Sequence, residues 1–492
     1  MNTAALSVSP IRLQRYRTLP IAMFSESSIS KSSAPLLVKL NENLLKEYGI
    51  DSGWFKSEKG LTILAGNDAD SISSPIAMAY SGHQFGHWVP ILGDGRAHML
   101  GQMKTNHGSL IDLQLKGSGR TNYSRAGDGR ATLGSVLREY LISEAMAGLG
   151  IRTTRALAII ETGDMVQRTN IVPSAILVRT AASHIRVGTF QYASGTQQVS
   201  VVKALADFVI NQHFPELEHY NDKYIRLLSV VINQQAELIA QWMLVGFIHG
   251  VMNTDNMSIV SETLDYGPCA FMDKFKPNRV FSSIDRYGRY AWDQQATIAI
   301  WNLNRLAETF IPLLELKTES AIAILEEQLA EFTSSFNTTL QQGMLKKFGF
   351  DQCSGVNSGF ISDSLIMLSE EEIDFTLFFN YLTNVNKGKA EEPFLELFLD
   401  RKKGVAWLNE WRKLQSDNPE TKVEMHSVNP VFIARNHQVE KAIRAAEDNG
   451  DYSVFNRFAK VLVNPFVVSS DNEEFISPPT PEEVVTQTYC GT

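Results

Sequence analysis

The run HGVMNTDN from His249 to Asn256, followed nine residues later by Asp265-Tyr266-Gly267, has the residue types and spacing to hold a metal-bound nucleotide. In phosphoryl-transfer loops of the form H-x-D-x-x-x-x-N, the Asp orients or deprotonates the acceptor hydroxyl and the Asn holds a metal ion on the phosphates. Here the Asp position is Val251. Asn256 is on register and Asp265 can supply a second metal ligand, so the pattern keeps a nucleotide site and drops the phosphotransfer base. Turns rich in Asn and Asp would give the same residues without chemistry.

Candidate phosphate contacts lie upstream, in a glycine-dense stretch from Gly82 to Gly134. The tetrapeptide Gly-Asp-Gly-Arg occurs twice, at Gly93–Arg96 and Gly127–Arg130, the second copy just before a helical pattern beginning near Ala131. Glycine lets backbone approach an anion closely, and free amides at a helix start favour negative charge; two Asp-Gly turns are the plainer reading. Between the copies, Ala97–Met103 and Ile111–Leu115 read as a hairpin turned at Asn106-His107-Gly108. Strand alternation puts Ile111, Leu113 and Leu115 on one face and Asp112, Gln114 and Lys116 on the other. Lys116 thus projects from a strand end on the polar side, where kinase-like folds keep the lysine that pairs with phosphates. A lone strand lysine is more often solvated.

A helix over Ala131–Leu149 carries a stripe of Leu133, Val136, Leu137, Tyr140, Leu141 and Glu144. Two carboxylates there could meet Lys116. Periodicity favours Glu144, within the stripe, over Glu139 at its side, and spacing does not settle the choice. A buried strand at Ile176–Ala181 carries Arg179, with Arg186 seven residues later; such arginines can clamp a polyphosphate or form ordinary surface ion pairs. His83 and His87 have the i, i+4 spacing of metal ligands but no evident third ligand, and read as structural.

These groups need a frame. An amphipathic helix over Ser229–Phe247 delivers the chain to His249; helices follow at Ala296–Phe310 and Ile322–Lys346, so the second half is mainly helical. A further helix is expected around Leu37–Tyr48. Residues 1–75 read as an N-terminal extension packed on the core. Residues 76–225 form a β-rich part with the glycine-rich loop, 226–470 a helical part, and 471–492 a hydrophilic, proline-bearing tail expected to be mobile.

The 492 residues carry 44% hydrophobic and 20% charged side chains, ordinary for a globular protein. A net charge of −9 excludes a general nucleic-acid binder, and no apolar run approaches the roughly 18 residues needed to span a bilayer. Three cysteines, Cys269, Cys353 and Cys490, make no disulfide framework and fit a reducing, cytoplasmic compartment. Arg12, Arg15 and Arg17 with no acid before Glu26 give a weak transit-peptide character, mitochondrial if the source is eukaryotic. Pro10 and Pro20 interrupt any amphipathic helix there, so a folded, cytoplasmic N-terminus is expected.

The segments SGHQFGHWV (Ser81–Val89), LGDGRA (Leu92–Ala97), LQLKGSGRTNYSRAGDGRATLG (Leu113–Gly134), REY (Arg138–Tyr140), HGVMNTDNMSIV (His249–Val260) and DYGP (Asp265–Pro268) together resemble the selenoprotein O family of pseudokinase protein adenylyltransferases, over nearly the whole chain. The resemblance implies an α+β, protein-kinase-like bilobal fold: a small β-rich N-lobe with a C-helix, a larger mainly helical C-lobe, and N- and C-terminal extensions. It implies ATP bound in a flipped orientation and AMP transfer to Ser, Thr or Tyr hydroxyls of proteins, with UMP from UTP as another donor choice. Gly93, Gly95, Arg96, Lys116, Asp128, Gly129, Arg179, Arg186 and Asp265 match nucleotide-contacting positions. Glu139, rather than Glu144, matches the carboxylate paired with Lys116. Asn256 and Asp265 match ligands of Mg²⁺ or Mn²⁺, and Asp255 matches the proton acceptor.

A base lost at Val251 should cost a kinase roughly 10²–10⁴ in rate; with the nucleotide reversed that base is not needed. Cys490 stands third from the end, where the family carries selenocysteine or cysteine, and Cys269 is the one thiol just after the DYG turn. Whether these two meet in a redox pair is a matter of geometry. A conventional small-molecule or protein kinase is disfavoured by Val251, and a non-catalytic nucleotide-binding pseudokinase by the presence of both Asn256 and Asp265.

Overall fold

The structure, a computed structural model, describes residues 8–72, 74–351, 358–417 and 424–489. Its strands are β1 (Ile11–Leu13), β2 (Phe24–Glu26), β3 (Leu36–Leu40), β4 (Ile76–Met78), β5 (Gly82–Gln84), β6 (His87–Val89), β7 (Ala97–Lys104), β8 (Leu110–Lys116), β9 (Ala131–Thr132), β10 (Arg155–Gln167), β11 (Ile171–Ala181), β12 (Phe247–Ile248) and β13 (Ala270–Phe271). The first helices are α1 (Glu42–Tyr48), α2 (Gly53–Lys56), α3 (Glu58–Leu64), α4 (Leu133–Gly148), α5 (Val187–Gly195), α6 (Val199–His213), α7 (Lys223–Leu244), α8 (Gln295–Phe310) and α9 (Thr318–Lys347). After them come α10 (Ser358–Glu370), α11 (Phe375–Asn386), α12 (Glu392–Leu395), α13 (Arg401–Asp417), α14 (Asn436–Asn449) and α15 (Ser453–Leu462). The architecture is mixed α/β, with one large antiparallel sheet and many helices.

That sheet has nine strands in the order β2-β4-β7-β8-β11-β10-β3, with β1 beside β7 and β9 beside β11. The expected hairpin is its centre: β7 pairs with β8, and Lys116 lies opposite Ala97 on one side and Leu177 of β11 on the other. The face carrying Ile111, Leu113 and Leu115 packs with Leu44, Leu45, Trp54, Phe55, Ile63 and Leu64 of α1–α3. The N-terminal segment is thereby the lid of a hydrophobic layer. The opposite face keeps Asp112, Gln114 and Lys116 buried and polar, and α4 packs on this sheet through β10 and β11.

Three expected boundaries move. Leu36–Leu40 is an edge strand on β10 and the helix starts only at Glu42, because Asn41 caps it by accepting from Leu44 N at 3.1 Å. Helix α4 starts at Leu133, two residues late, with Thr132 Oγ1 accepting from Ser135 N at 3.2 Å while Ala131–Thr132 pair with β11. Helix α7 stops at Leu244; Gly246 takes φ +69°, and Phe247–Ile248 pair with β13.

The helices beyond residue 290 bury an aromatic cluster that includes Phe348, Phe360, Phe378, Phe394 and Trp407. The tail, expected to be mobile, instead runs back over the body as far as it is described. Phe475 stacks on Phe458 at 5.0 Å, Thr488 N donates to Phe281 O at 2.8 Å, and Thr488 Oγ1 donates to Pro268 O. Among the described residues, no helix is long and apolar enough to cross a membrane.

Candidate active site

Sheet register sets the first half of the site. Arg179 of β11 lies opposite Gln114 of β8, two positions from Lys116, so all three side chains leave the sheet on one face. Glu139 reaches them from α4: Lys116 Nζ is 2.6 Å from Glu139 Oε2, and Arg179 Nη1 is 3.1 Å from Glu139 Oε1. Glu144, which periodicity favoured, has another task. It is buried one turn on, bound by Arg155 Nε at 3.0 Å and Nη2 at 2.9 Å, by Ala156 N at 3.0 Å and by Asn41 Nδ2 at 2.8 Å.

The second half comes from the loops after β12. Asp265 accepts from Lys116 Nζ at 2.7 Å and Arg179 Nη1 at 2.8 Å on one oxygen, and from Arg186 Nη1 at 2.8 Å on the other. Burial alone would raise its pKa; Lys116, Arg179 and Arg186 overcome that and hold it well below the ordinary carboxylate range. Its backbone sits at φ +63°, a left-handed conformation uncommon for a non-glycine residue. His249 sets this turn: its Nε2 lies 2.9 Å from Leu264 O, and Val251 N donates to its Nδ1 at 3.4 Å. Burial keeps His249 below its usual pKa, which suits a neutral ring donating on one side and accepting on the other.

Asp255 lies on a short turn between these segments and is 7% exposed. Its Oδ2 accepts from Gln84 Nε2 at 3.3 Å, while its Oδ1 is buried with no hydrogen-bond partner among the described residues. Burial pushes its pKa up to about 6, against the opposing pull of Gln84 and Arg186. A carboxylate so placed can take up a proton near neutral pH. The next residue, Asn256, donates its Nδ2 to Val251 O at 2.9 Å, which leaves its amide oxygen as the outward acceptor. Asn256 and Asp265 thus offer hard oxygen donors, the kind that suits a hard divalent cation when phosphate and water complete the shell. No cluster of three or more His, Cys, Asp or Glu able to hold a metal exists among the described residues, so His83 and His87 form none.

Lys116, Glu139, Arg179, Arg186, Asp255, Asn256 and Asp265 line one cleft of about 1150 Å³, together with Gly93, Gly95, Arg96, Asp128 and Gly129. The glycines serve the loops first. A Cβ at Gly93 would lie 2.2 Å from Tyr123 Cγ, and one at Gly129, where φ is +72°, 2.2 Å from the Gly119 carbonyl carbon. Asp128 stays outside the cation cluster; Arg168 grips it at 2.8 and 3.0 Å and lowers its pKa. Cys269 does not line the cleft: it is buried behind the turn, its Sγ 3.3 Å from Tyr266 O. Cys490 lies outside the described residues, so the expected pairing has no geometry to report.

Some supporting groups escaped the sequence reading. Gln114 accepts from Arg179 Nε at 2.8 Å and donates to buried Asp94 at 3.0 Å, fixing the arginine's fork. Tyr80 lies under Arg186, ring centre 4.6 Å from the guanidinium carbon. Arg138 donates to Gly267 O at 3.1 Å and ties α4 to the turn that carries Asp265. Gln114 was on the polar strand face and Asp94 in the repeated tetrapeptide, which were the available signals; Tyr80 left none.

Three cations converging on two carboxylates at the floor of a glycine-lined cleft, with a separate buried carboxylate beside them, define an anion-handling centre of the transferase kind. The chain belongs to the protein adenylyltransferase SelO family, whose model matches residues 13–463. Similar proteins include a protein nucleotidyltransferase YdiU of Shewanella denitrificans, 50% identical over 98% of this chain and 98% of that protein. Others so named come from Rhodopseudomonas palustris, at 46%, and Lachnoclostridium phytofermentans, at 47%, each over 97% of this chain and 98% of the relative.

Proposed function

We propose that this protein transfers AMP from ATP to Ser, Thr or Tyr hydroxyls of other proteins, with UTP as a second donor, on a kinase-like bilobal frame. One observation carries the reading. The position that holds the base in phosphotransfer loops is a valine, while Asp255, four residues on, is buried in the same cleft with an unpartnered oxygen.

In the proposed reaction the acceptor hydroxyl oxygen attacks the α-phosphorus. The bond from that phosphorus to the bridging oxygen of the β-phosphate breaks, pyrophosphate leaves with the bonding electrons, and the hydroxyl proton passes to Asp255. Lys116, Arg179, Arg186 and Arg96 bind the phosphates, with Gly93, Gly95, Asp128 and Gly129 shaping the cradle. Glu139 holds Lys116 in place. Asn256 and Asp265 would hold Mg²⁺ or Mn²⁺, which when bound neutralises phosphate charge. Asp265 already carries three cationic contacts, so loosening one of them frees a cation for the nucleotide. With bacterial relatives and few cysteines, we place the activity in the cytoplasm.

Parallel incubation of the protein and a cell lysate with α-³²P-ATP and γ-³²P-ATP, with divalent metal and with EDTA, tests the reading. Protein label from the α position alone, abolished by EDTA, is expected. Label from the γ position would restore a conventional kinase, and none from either would leave a nucleotide-binding scaffold.

A further inference from the structure

The β5–β6 hairpin is fastened to the segment that bears Asp255. His83 N donates to Thr254 Oγ1 at 2.7 Å, Gln84 Nε2 to Asp255 at 3.3 Å, and Phe85 N to Asn253 Oδ1 at 3.0 Å. Beyond Gln84 the hairpin tip turns at Gly86, and a Cβ there would lie 3.6 Å from the guanidinium carbon of Arg289. At most about 7 Å of extended chain separates Gln84 from that tip.

Arg289 is half-buried, and among the described residues no carboxylate lies within ion-pair distance of it. Its guanidinium carbon is 5.0 Å from the ring centre of Trp301, and that of Arg305 is 5.4 Å from the same ring. Arg305 pairs at 2.7 Å with Glu308 through one nitrogen, and among the described residues the Nε atoms of both arginines are buried without a partner. Burial, then Arg305 and Arg289, keep the neighbouring His83 below its usual pKa, so the ring between hairpin and arginines is neutral. The carboxylates that touch this pair are Glu308, on the Arg305 guanidinium, and buried Asp285, which accepts from the Arg289 backbone N at 2.9 Å, so among the described residues the Arg289 guanidinium itself has no direct carboxylate partner. Exposed aromatic surface flanks it: Trp88 is 45% exposed and Tyr287 97% exposed.

We propose that Arg289 and Arg305 bind an Asp or Glu side chain of the protein acceptor, holding an acidic segment across the hairpin tip so that its hydroxyl is delivered to Asp255. This rests on the nucleotidyl-transfer reading above and adds the class of acceptor. Two hydrogen-bonding cations set on an aromatic ring favour a carboxylate, the fastening of the hairpin to residues 253–255 fixes the distance from docked acid to hydroxyl, and the acidic body repels nucleic acid.

The test uses two fluorescein-labelled synthetic peptides, each with one serine, flanked by aspartates in one and by asparagines in the other. Direct binding is read by fluorescence anisotropy without nucleotide, and transfer with α-³²P-ATP and divalent metal. Wild-type protein is expected to favour the aspartate peptide by about tenfold in both readouts at low salt. Arg289→Gln with Arg305→Gln should erase that preference while the affinity for ATP stays unchanged; Arg289→Glu should reverse it. Equal binding of the two peptides by wild type, or a preference that survives in both variants, overturns the proposal, as does tighter arginine-dependent binding of a single-stranded oligonucleotide than of the aspartate peptide. Arginine-dependent peptide binding with no transfer by wild type supports the docking site and sinks the transferase reading instead.

Discussion

Asp255 and Asp265 are both buried carboxylates on the same loop system, yet their surroundings push them in opposite directions. Asp265 has a cation on every side and stays ionised; Asp255 has one weak donor, and burial brings its pKa up to about 6. That difference separates their proposed roles. Asp255→Asn is expected to lower α-label transfer by about 10²–10⁴ and leave nucleotide affinity as it was, measured by labelling and by equilibrium binding. Asp265→Ala should weaken metal-dependent nucleotide binding as well. It should also destabilise the apo protein by about 3–5 kcal/mol, since three buried cations lose their common partner; denaturant unfolding without nucleotide reads this. Full transfer activity in the Asp265 variant would remove the metal assignment.

At the scale of elements, α4 shows what periodicity can and cannot say. A hydrophobic stripe marks the most buried side of a helix, and Glu144 lies on it because its partners Arg155 and Asn41 are in the buried joint with the N-terminal segment. Glu139, beside the stripe, faces the cleft. Burial was legible in the sequence; direction was not, because it depends on which strand lies across from each turn of helix. The two carboxylates should separate in experiment. Glu144→Gln is expected to cost about 1–3 kcal/mol in stability with transfer per folded molecule retained, whereas Glu139→Gln should impair transfer with a smaller loss of stability. The central hairpin was legible for the opposite reason: its alternation and turn are local, so Lys116 landed on the polar face as expected. At Leu36–Leu40 the edge pairing with β10, a contact over a hundred residues distant, won over helical propensity. The glycine-rich turns carry a third prediction. Gly129→Ala must place a Cβ 2.2 Å from backbone at φ +72°, so the loop should shift, with loss of nucleotide affinity and about 1–3 kcal/mol of stability.

For the molecule as a whole, the least expected group is Lys347 at the end of α9. It is 3% exposed, its ammonium 4.2 Å from the Phe379 ring centre, with no carboxylate in ion-pair range among the described residues. Burial pulls its pKa from 10.5 down to about 7. The unfolded chain therefore takes up this proton at a higher pH than the folded one, and stability is lost as pH falls from 10.5 toward 7. Lys347→Met should raise stability at pH 7 by about 1–3 kcal/mol, the gain shrinking toward pH 10; a gain independent of pH would assign the effect to packing alone.

The Asp265 cluster has a consequence for biosynthesis. Lys116, Arg179 and Arg186 leave the ribosome well before Asp265; Glu139, made earlier than Asp265, already meets the first two, whereas among the described residues Arg186 finds its ion pair only in that later carboxylate. Until residue 265 is available the β-rich half cannot close over Arg186 without leaving a buried guanidinium short of its carboxylate. Translation order thus leaves the cleft one carboxylate short in half-made chains, so a truncated product ending before that residue should bind nucleotide more weakly than the completed protein.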